Sequence, residues 1–426
     1  MKNKVLLFLI ILKVINLFSI PSFSQQPNDV NSPEKVEDYL RIAAMQNAGL
    51  ETAFEQWKVS LAQVPQFKAI PDPKFTYSYF IREIETRTGP QKQRFSIVQT
   101  FPWFGVIESR TDIAAAKAKA AYQNYEAIKL ELFYSVKNSF YEYAYLGRAI
   151  DIARQNVELL KYLEEVARTR YAASVGSHPD IIRAQIELAI LEDKLKSIEK
   201  LQEPIIAGLD ALLNRKSDSL LPIPKIEKNT PVKLDKQVQI ENMISRNPKL
   251  CELDFEIASA KAGVELAKKR FYPDLSIGLD WIQTDESKMA GIEDSGQDPI
   301  IAMFTINIPI WTESYKAAEL QARAQARVLS AKKQQSSNDL LAQFEKYFYQ
   351  FEDSSRKMSL YENTLIPRAQ EMLEASEAAY KAGTVDFSNL IDSQRTLLEF
   401  KLSYEREFTR HMQKLAGLEM LTGELL

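Results

Sequence analysis

The stretch Tyr171-Ala-Ala-Ser-Val-Gly-Ser-His-Pro-Asp-Ile-Ile-Arg-Ala-Gln-Ile-Glu-Leu188 returns 209 residues later as Tyr380-Lys-Ala-Gly-Thr-Val-Asp-Phe-Ser-Asn-Leu-Ile-Asp-Ser-Gln-Arg-Thr-Leu397. The same offset lays Ala207-Gly208-Leu209-Asp210 on Ala416-Gly417-Leu418-Glu419 and Phe95-Ser96-Ile97 on Phe304-Thr305-Ile306. The chain is therefore one unit of about 200 residues written twice. Each quoted stretch is a polar bend between two long helical patterns.

Working outward from the bends, Ile107 to Ala172 holds no proline and a single glycine, Gly147, while Tyr315 to Ala382 holds no glycine and one proline, Pro367. Ala, Lys, Glu, Gln and Leu dominate both runs, so local propensity agrees with helix. Leu146, Ile150, Ala153, Val157, Leu160, Leu163 and Ala167 recur at coiled-coil spacing, as do Met358, Tyr361, Leu365, Ala369, Met372, Ser376 and Ala379. Helices spanning about 107–172 and 314–382 would be rods of roughly 100 Å, the second bent at Pro367, which lacks a backbone donor. Return helices are expected over about 180–201 and 387–421. Small residues (Ala114, Ala115, Ala116, Ala118; Ala317, Ala318, Ala322, Ala324) open each rod and allow close helix packing.

Before each rod the pattern changes to a period of two. Phe75, Tyr77, Tyr79 and Ile81 alternate with Thr76, Ser78, Phe80 and Arg82, and after a polar loop (Glu83 to Gln91) Phe95, Ile97 and Phe101 alternate with Ser96, Val98 and Thr100. Leu275, Ile277, Leu279 and Trp281 repeat the pattern, followed by Phe304, Ile306, Ile308 and Ile310. Strands over about 74–82, 93–102, 275–283 and 300–310 are long enough to cross a bilayer when tilted. A half-buried soluble hairpin would alternate in the same way. Only the rods distinguish the two: four strands cannot close a barrel and an open edge is not tolerated in lipid, so a chain of this build supplies one segment of a shared barrel with a helical tube beneath it. Phe75, Tyr77, Tyr79, Leu275, Ile277, Leu279, Phe304 and Ile306 are then the lipid-facing positions. The rival architecture is a soluble periplasmic coiled-coil structural or adaptor protein.

The remaining segments fall into place around these. Lys2 and Lys4, the apolar run Val5 to Ile20 and Ser22-Phe23-Ser24 read as a signal peptide over 1–24, cleaved before Gln25. Ser32-Pro33-Glu34 reads as a helix start. The repeats occupy 25–213 and 235–426, joined by a proline-bearing linker at 214–234. The whole chain has 45% hydrophobic and 26% charged residues and a net charge of −3, which gives no reason to expect a nucleic-acid partner. No enzymatic constellation is present: Gly-x-Gly does not occur, His178 and His411 read as solvated, and Cys251, the one cysteine, reads as a small core residue. No catalytic residue, cofactor or metal site is expected.

A duplicated helix, hairpin, long helix, tip and helix with Tyr-x-x-Gly at the tip (Tyr380 to Gly383) resembles the TolC-like outer-membrane efflux proteins over nearly the whole mature chain. The segment Val98-Gln99-Thr100-Phe101-Pro102-Trp103-Phe104-Gly105 is similar to the heavy-metal efflux branch. The resemblance implies a mainly α fold with a small β part, assembled as a homotrimer with a 12-stranded outer-membrane barrel and a periplasmic helical tunnel. It also implies a passive exit duct docking through its tips to a periplasmic adaptor protein and an inner-membrane pump of the RND type. Type I protein secretion would use the same duct.

At the tips, Tyr171, Ser174, Gly176, Tyr380, Gly383 and Thr384 are the expected docking residues. Gly383 suits a turn with positive φ; Ser174 stands at that place in copy one, so the two turns are expected to differ in shape. The family constricts its tunnel with two acidic residues after this turn. Asp392 matches the second and Asn389 replaces the first, with Asp180, Arg183 and Asp386 as further gate candidates. A latch between Arg183 and Asp392 on adjacent tips is expected.

Overall fold

Each half of the chain begins by fastening its first helices to its own end. The computed structural model describes residues 33, 35–216, 221–224, 226 and 233–424. In the first half Asn47 accepts from the Leu50 amide at 2.9 Å, capping α2 (Ala48–Lys68) after α1 (Val36–Gln46), and donates from Nδ2 to the Leu212 carbonyl at 2.9 Å. In the second, Asn247 accepts from the Lys249 amide at 3.0 Å, separating α6 (Lys236–Arg246) from α7 (Pro248–Lys269), and donates to the Leu421 carbonyl at 2.9 Å. One amide side chain thus starts a helix and ties it to the far terminus of its repeat. The proposed signal peptide, Ser32 and part of the 214–234 linker lie outside the described residues. The first helix itself starts at Val36, not at Pro33, with Lys35 as the flanking residue.

Four strands follow: β1 (Lys74–Thr86), β2 (Gly89–Phe101), β3 (Leu275–Thr284) and β4 (Ile300–Ile306), in one antiparallel sheet of order β1-β2-β3-β4. The polar loop expected at Glu83–Gln91 is instead strand up to a two-residue turn at Arg87-Thr88. A register shift between Tyr79 and Ile84 absorbs the residues that broke the alternation. The turn is pressed against the β3–β4 loop: the Gly296 amide donates to Thr88 O at 2.8 Å, and a Cβ on Gly89 would lie 1.7 Å from Asp285 O. β4 ends at Ile306, short of the expected Ile310, and 307–311 are irregular.

The register puts the oily residues on one face. Tyr77 is opposite Phe95 and Phe95 opposite Trp281; Phe75 is opposite Ile97 and Ile97 opposite Leu279; Leu275 and Ile277 are opposite Ile306 and Phe304. That face is bare in the single chain, with Phe75, Tyr79 and Phe304 at 66, 65 and 70% exposure. Gln99, the polar intruder, donates to Pro71 O at 2.7 Å. The opposite face carries Thr76, Ser96, Thr100 and Ser276, and an ion pair between Arg94 and fully buried Asp280.

The helical part hangs from the sheet. α3 (Val106–Ala172) is a single helix of 67 residues, about 100 Å long, and turns back through α4 (His178–Lys200) and α5 (Gln202–Leu213). The second rod runs as α8 (Thr312–Leu360), a π segment (Tyr361–Leu365) and α9 (Ile366–Ala382), returning through α10 (Phe387–Thr422). Pro367 sits in the first turn after the π segment: the hydrogen bond it cannot donate is accommodated by one wide turn. That turn also rotates the buried stripe. Ala369, Leu373 and Tyr380 are buried, whereas Met372, expected inside, is 40% exposed. In α3 the expected stripe from Leu146 to Ala167 is buried throughout, and below it Val157, Leu160, Leu163, Ile181, Leu191, Leu373, Phe387 and Leu397 join both hairpins in one core.

Two further expectations are corrected. His411 is buried rather than solvated: its ring stacks on Phe351 at 4.2 Å between centroids, and Nδ1 lies 3.1 Å from Phe351 O. Burial pushes its pKa below the ordinary histidine range. Cys251 is half-buried, not a core residue.

Candidate functional site

The two tips have the same backbone despite their different sequences. In copy two Gly383 takes φ +77°, its amide donates to Tyr380 O at 3.0 Å and that of Thr384 to Ala379 O at 2.9 Å. In copy one Ser174 takes φ +59°, its amide donates to Tyr171 O at 2.9 Å and that of Val175 to Arg170 O at 3.0 Å. The expected difference in shape is therefore absent; Ser174 accepts the left-handed conformation, at a cost of about 1 kcal/mol relative to glycine. Gly176 answers a different need, since a Cβ there would sit 2.9 Å from both Arg170 Cβ and Tyr171 N. Thr384 Oγ1 donates to Ala379 O at 3.0 Å, closing its own turn.

What joins the tips is a residue the sequence did not single out. Arg170 donates from Nη1 to the Lys381 carbonyl and from Nη2 to Val175 O at 2.9 Å, and its guanidinium stands 4.9 Å from the centroid of the Tyr380 ring. The Tyr380 hydroxyl donates to Asp180 Oδ2 at 3.1 Å. Tyr380 is buried, and that burial, reinforced by Asp180, pushes its pKa up to about 12. Lys381 Nζ adds a bond to the Tyr162 hydroxyl at 2.8 Å. Position 379, the counterpart of Arg170, is alanine, so the repeat carried no signal for it.

The gate candidates divide. Asp180 belongs to this inter-tip cluster through Tyr380. Arg183 donates to Ser388 Oγ rather than to Asp392. Asp392 stays 68% exposed and lies 3.5 Å from Arg395, one turn along the same helix, while Arg395 also grips Glu187 on α4. The expected Arg183–Asp392 pair is thus not formed within the chain, because each partner has a nearer neighbour. Asp386 flanks the start of α10, its carbonyl accepting from the Asn389 amide at 3.1 Å. Tyr171 and His178 are exposed, and their rings lie 5.5 Å apart.

Among the described residues no group of three or more His, Cys, Asp and Glu side chains is placed to hold a metal, and no helix is long and apolar enough to cross a membrane. An apolar sheet face on top of 100 Å of paired helix, closed at the far end by two interlocked turns, is the build of a channel wall. The chain belongs to the outer membrane efflux protein family, which it matches over residues 47–215 and 239–424.

Among its relatives, the cobalt-zinc-cadmium resistance protein CzcC of Cupriavidus metallidurans is 20% identical, across 93% of this chain and 92% of that protein. Nodulation protein T of Rhizobium leguminosarum bv. trifolii is 21% identical across 90% and 84%. Among solved structures, the outer membrane protein VceC of Vibrio cholerae superposes with a TM-score of 0.75 at 16% identity, covering 91% of this chain and 96% of that one. CusC superposes with a TM-score of 0.77 at 15% identity, covering 91% and 92%. The protein is an outer-membrane exit duct of an efflux system; its family and fold are those of channels.

Proposed function

We propose that three copies close into one duct: a 12-stranded barrel in the outer membrane, a helical tunnel below it, and a periplasmic end where the tips both gate the passage and dock to an adaptor protein and an RND-type pump. The observation that carries this reading is that the chain has the same two open sides at every level. In the sheet, β1 and β4 have no outer partner. Below it α2 packs on α3, α3 on α7 and α7 on α8, which places α2 and α8 at the flanks. Both flanking helices expose apolar residues, Val59 and Leu61 on one and Leu320 and Val328 on the other. A first-repeat element on one side and a second-repeat element on the other suit head-to-tail closure into a ring, and a membrane sheet with unpaired edges requires it.

The oily face, with Phe75, Tyr77, Tyr79, Leu275, Ile277, Leu279, Phe304 and Ile306, then meets lipid. Residues 1–24 direct export and are removed. Heavy-metal efflux is the favoured branch, on the Val98–Gly105 motif and the likeness to CzcC. The test is assembly. Leu279→Lys puts a charge at mid-bilayer, costing about 2–4 kcal/mol, and should abolish membrane assembly. Ser276→Lys, on the opposite face, should leave a trimer by mass in detergent. Equal outcomes, or a monomeric wild type, would overturn the reading.

A further inference from the structure

Between α3 and α8 a third helix fills the wall, α10 in the tipward half and α7 above it. The two meet end to end where α10 stops at Thr422 and α7 starts at Pro248, and Asn247 Nδ2 ties the junction to the Leu421 carbonyl. The break in that column leaves a recess of about 230 Å³. Its walls are Leu130 and Tyr134 of α3, Leu340 and Tyr347 of α8, and Met420 of α10. Tyr134 and Tyr347 bridge the gap, stacked with centroids 6.5 Å apart and planes 26° apart. Gln343 Nε2 donates to the Tyr347 hydroxyl at 3.3 Å. A Cβ on Gly417 would lie 2.7 Å from two carbons of the Tyr347 ring, so α10 must be bare there for the pair to form. Burial, with the bond to Tyr347 second, pushes the Tyr134 pKa up to about 12, and its hydroxyl stays neutral at ordinary pH.

We infer that this recess is a binding site for a small solute, a single aromatic ring carrying a carboxylate. Size sets the first limit. A dry apolar cavity of about 150 Å³ holds benzene, so a recess of about 230 Å³ has room for one ring and a small substituent. The walls set the class: two tyrosine faces favour offset or edge-on contact with a third ring, and Met420 offers its sulfur to a ring edge. Charge sets the substituent. Lys249 stands at the rim, exposed in the first turn of α7, which has no acidic residue, and the positive end of the helix dipole lies behind it. Lys414 adds a second ammonium, 4.8 Å from the centroid of the Tyr347 ring. Glu131 is the one acidic residue in the lining, so the rim favours an anion.

The recess opens away from α6. That helix packs on α7, α8 and α10 and buries Met243 in one core with Leu250, Leu418 and Leu421, and no residue of it lines the recess. Which side α6 takes follows from the duct reading, on which this step alone rests. Twelve helices in a ring, spaced about 10 Å apart, leave a bore of roughly 28 Å, and six further helices about 10 Å across would fill it. The α1 and α6 helices of three copies therefore lie outside, and the recess faces the passage. A solute held there must also leave, which calls for weak binding.

The full-length protein in detergent, with its mass measured, is titrated with para-fluorobenzoate and followed by fluorine line width. Wild type should broaden the line saturably, with a dissociation constant on the order of 1 mM. Lys249→Glu, at an exposed position, should weaken binding about tenfold and turn the preference toward para-fluorobenzylamine. Ser135→Trp, which fills the recess from α3, should abolish binding of both probes. No saturable broadening by wild type, tighter binding of the amine than of the benzoate by wild type, or binding unchanged in both variants would overturn the inference and leave the duct reading standing. In planar bilayers the benzoate should lower the conductance of wild type saturably and that of Ser135→Trp not at all. Saturable binding with unchanged current would keep the site and overturn its placement on the passage. A monomeric wild type would refute the ring, while the titration would still decide the site, since one chain supplies every wall.

Discussion

Replacing Tyr380 by phenylalanine removes one oxygen from the place where the two tips meet. The ring would still fill its buried site and still underlie the Arg170 guanidinium, while the 3.1 Å bond to Asp180 would be lost. A hydrogen bond to a carboxylate contributes about 1.5–3 kcal/mol when water is excluded. Asp180 is half-exposed and can turn to solvent, so about 1 kcal/mol per tip is the appropriate figure. In a ring whose three tips move together the loss becomes about 3 kcal/mol, a shift of roughly 150-fold toward the open form. Single-channel recording in planar bilayers should show greater leak conductance and longer openings for Tyr380→Phe. The Arg170 bonds to Lys381 O and Val175 O are untouched, so thermal stability of the assembly should hardly move. Unchanged conductance would show that Tyr380–Asp180 plays no part in closure. Burial of Tyr380, with the Asp180 bond second, gives an alkaline signature: the folded pKa lies above the ordinary value of 10, so the stability of the protonated, buried ring is complete below pH 10 and is lost as pH rises toward 12.

Ser174→Gly should relieve left-handed strain at the first tip by about 0.5–1 kcal/mol, slowing hydrogen exchange of residues 171–180 roughly 2–5-fold; faster exchange would deny the strain. Gly383→Val, which forces a β-branched residue to φ +77°, should lose export while the trimer still assembles. Asp392→Asn should lower cation preference in bilayer recordings more than Asp386→Asn does, because the Asp392 carboxylate stays 68% exposed beside its 3.5 Å pair with Arg395. Wild type should lose thermal stability as pH falls from about 6.5, since the unfolded chain binds a proton that buried His411 resists, and His411→Gln should flatten that dependence.

The rods and the strand faces were legible in the sequence because their signals are periodic and local: Leu146 to Ala167 at helical spacing, and Leu275 to Trp281 alternating. The departures arise where one distant contact outweighs local pattern. Polar Glu83 and Glu85 suggest a loop, yet β1 runs through them because β2 offers a ladder beyond the bulge. His411 is buried by Phe351, sixty residues away along the chain. Ser174 has no compositional mark of positive φ; its backbone is imposed by a turn that must return α4 along α3. Pro367 announced a bend, but the choice of a π turn, and the rotation that brings Leu373 inward in place of Met372, depends on packing against α10.

The two repeats share a tip backbone and differ in the side chains hung on it, and the difference would give the proposed gate a direction. Copy one supplies Arg170, Asp180 and Arg183; copy two has Ala379, Asn389 and Asp392 at the same places. Hence these three first-tip side chains hold the second tip: Arg170 takes the Lys381 carbonyl, Asp180 takes the Tyr380 hydroxyl and Arg183 takes Ser388. The second repeat answers at other places, with Lys381 on the Tyr162 hydroxyl and Arg395 on Glu187, and leaves Asp392 exposed. In a head-to-tail ring each second tip would have the first tip of its own chain on one side and that of the next copy on the other. A duplicated sequence with identical tips would bond alike on both sides and have no preferred path of release. On the proposed gating role of the tips, an adaptor that draws the second tip away from Arg170 and Asp180 would break a few partly exposed polar bonds and leave the apolar core between the rods intact.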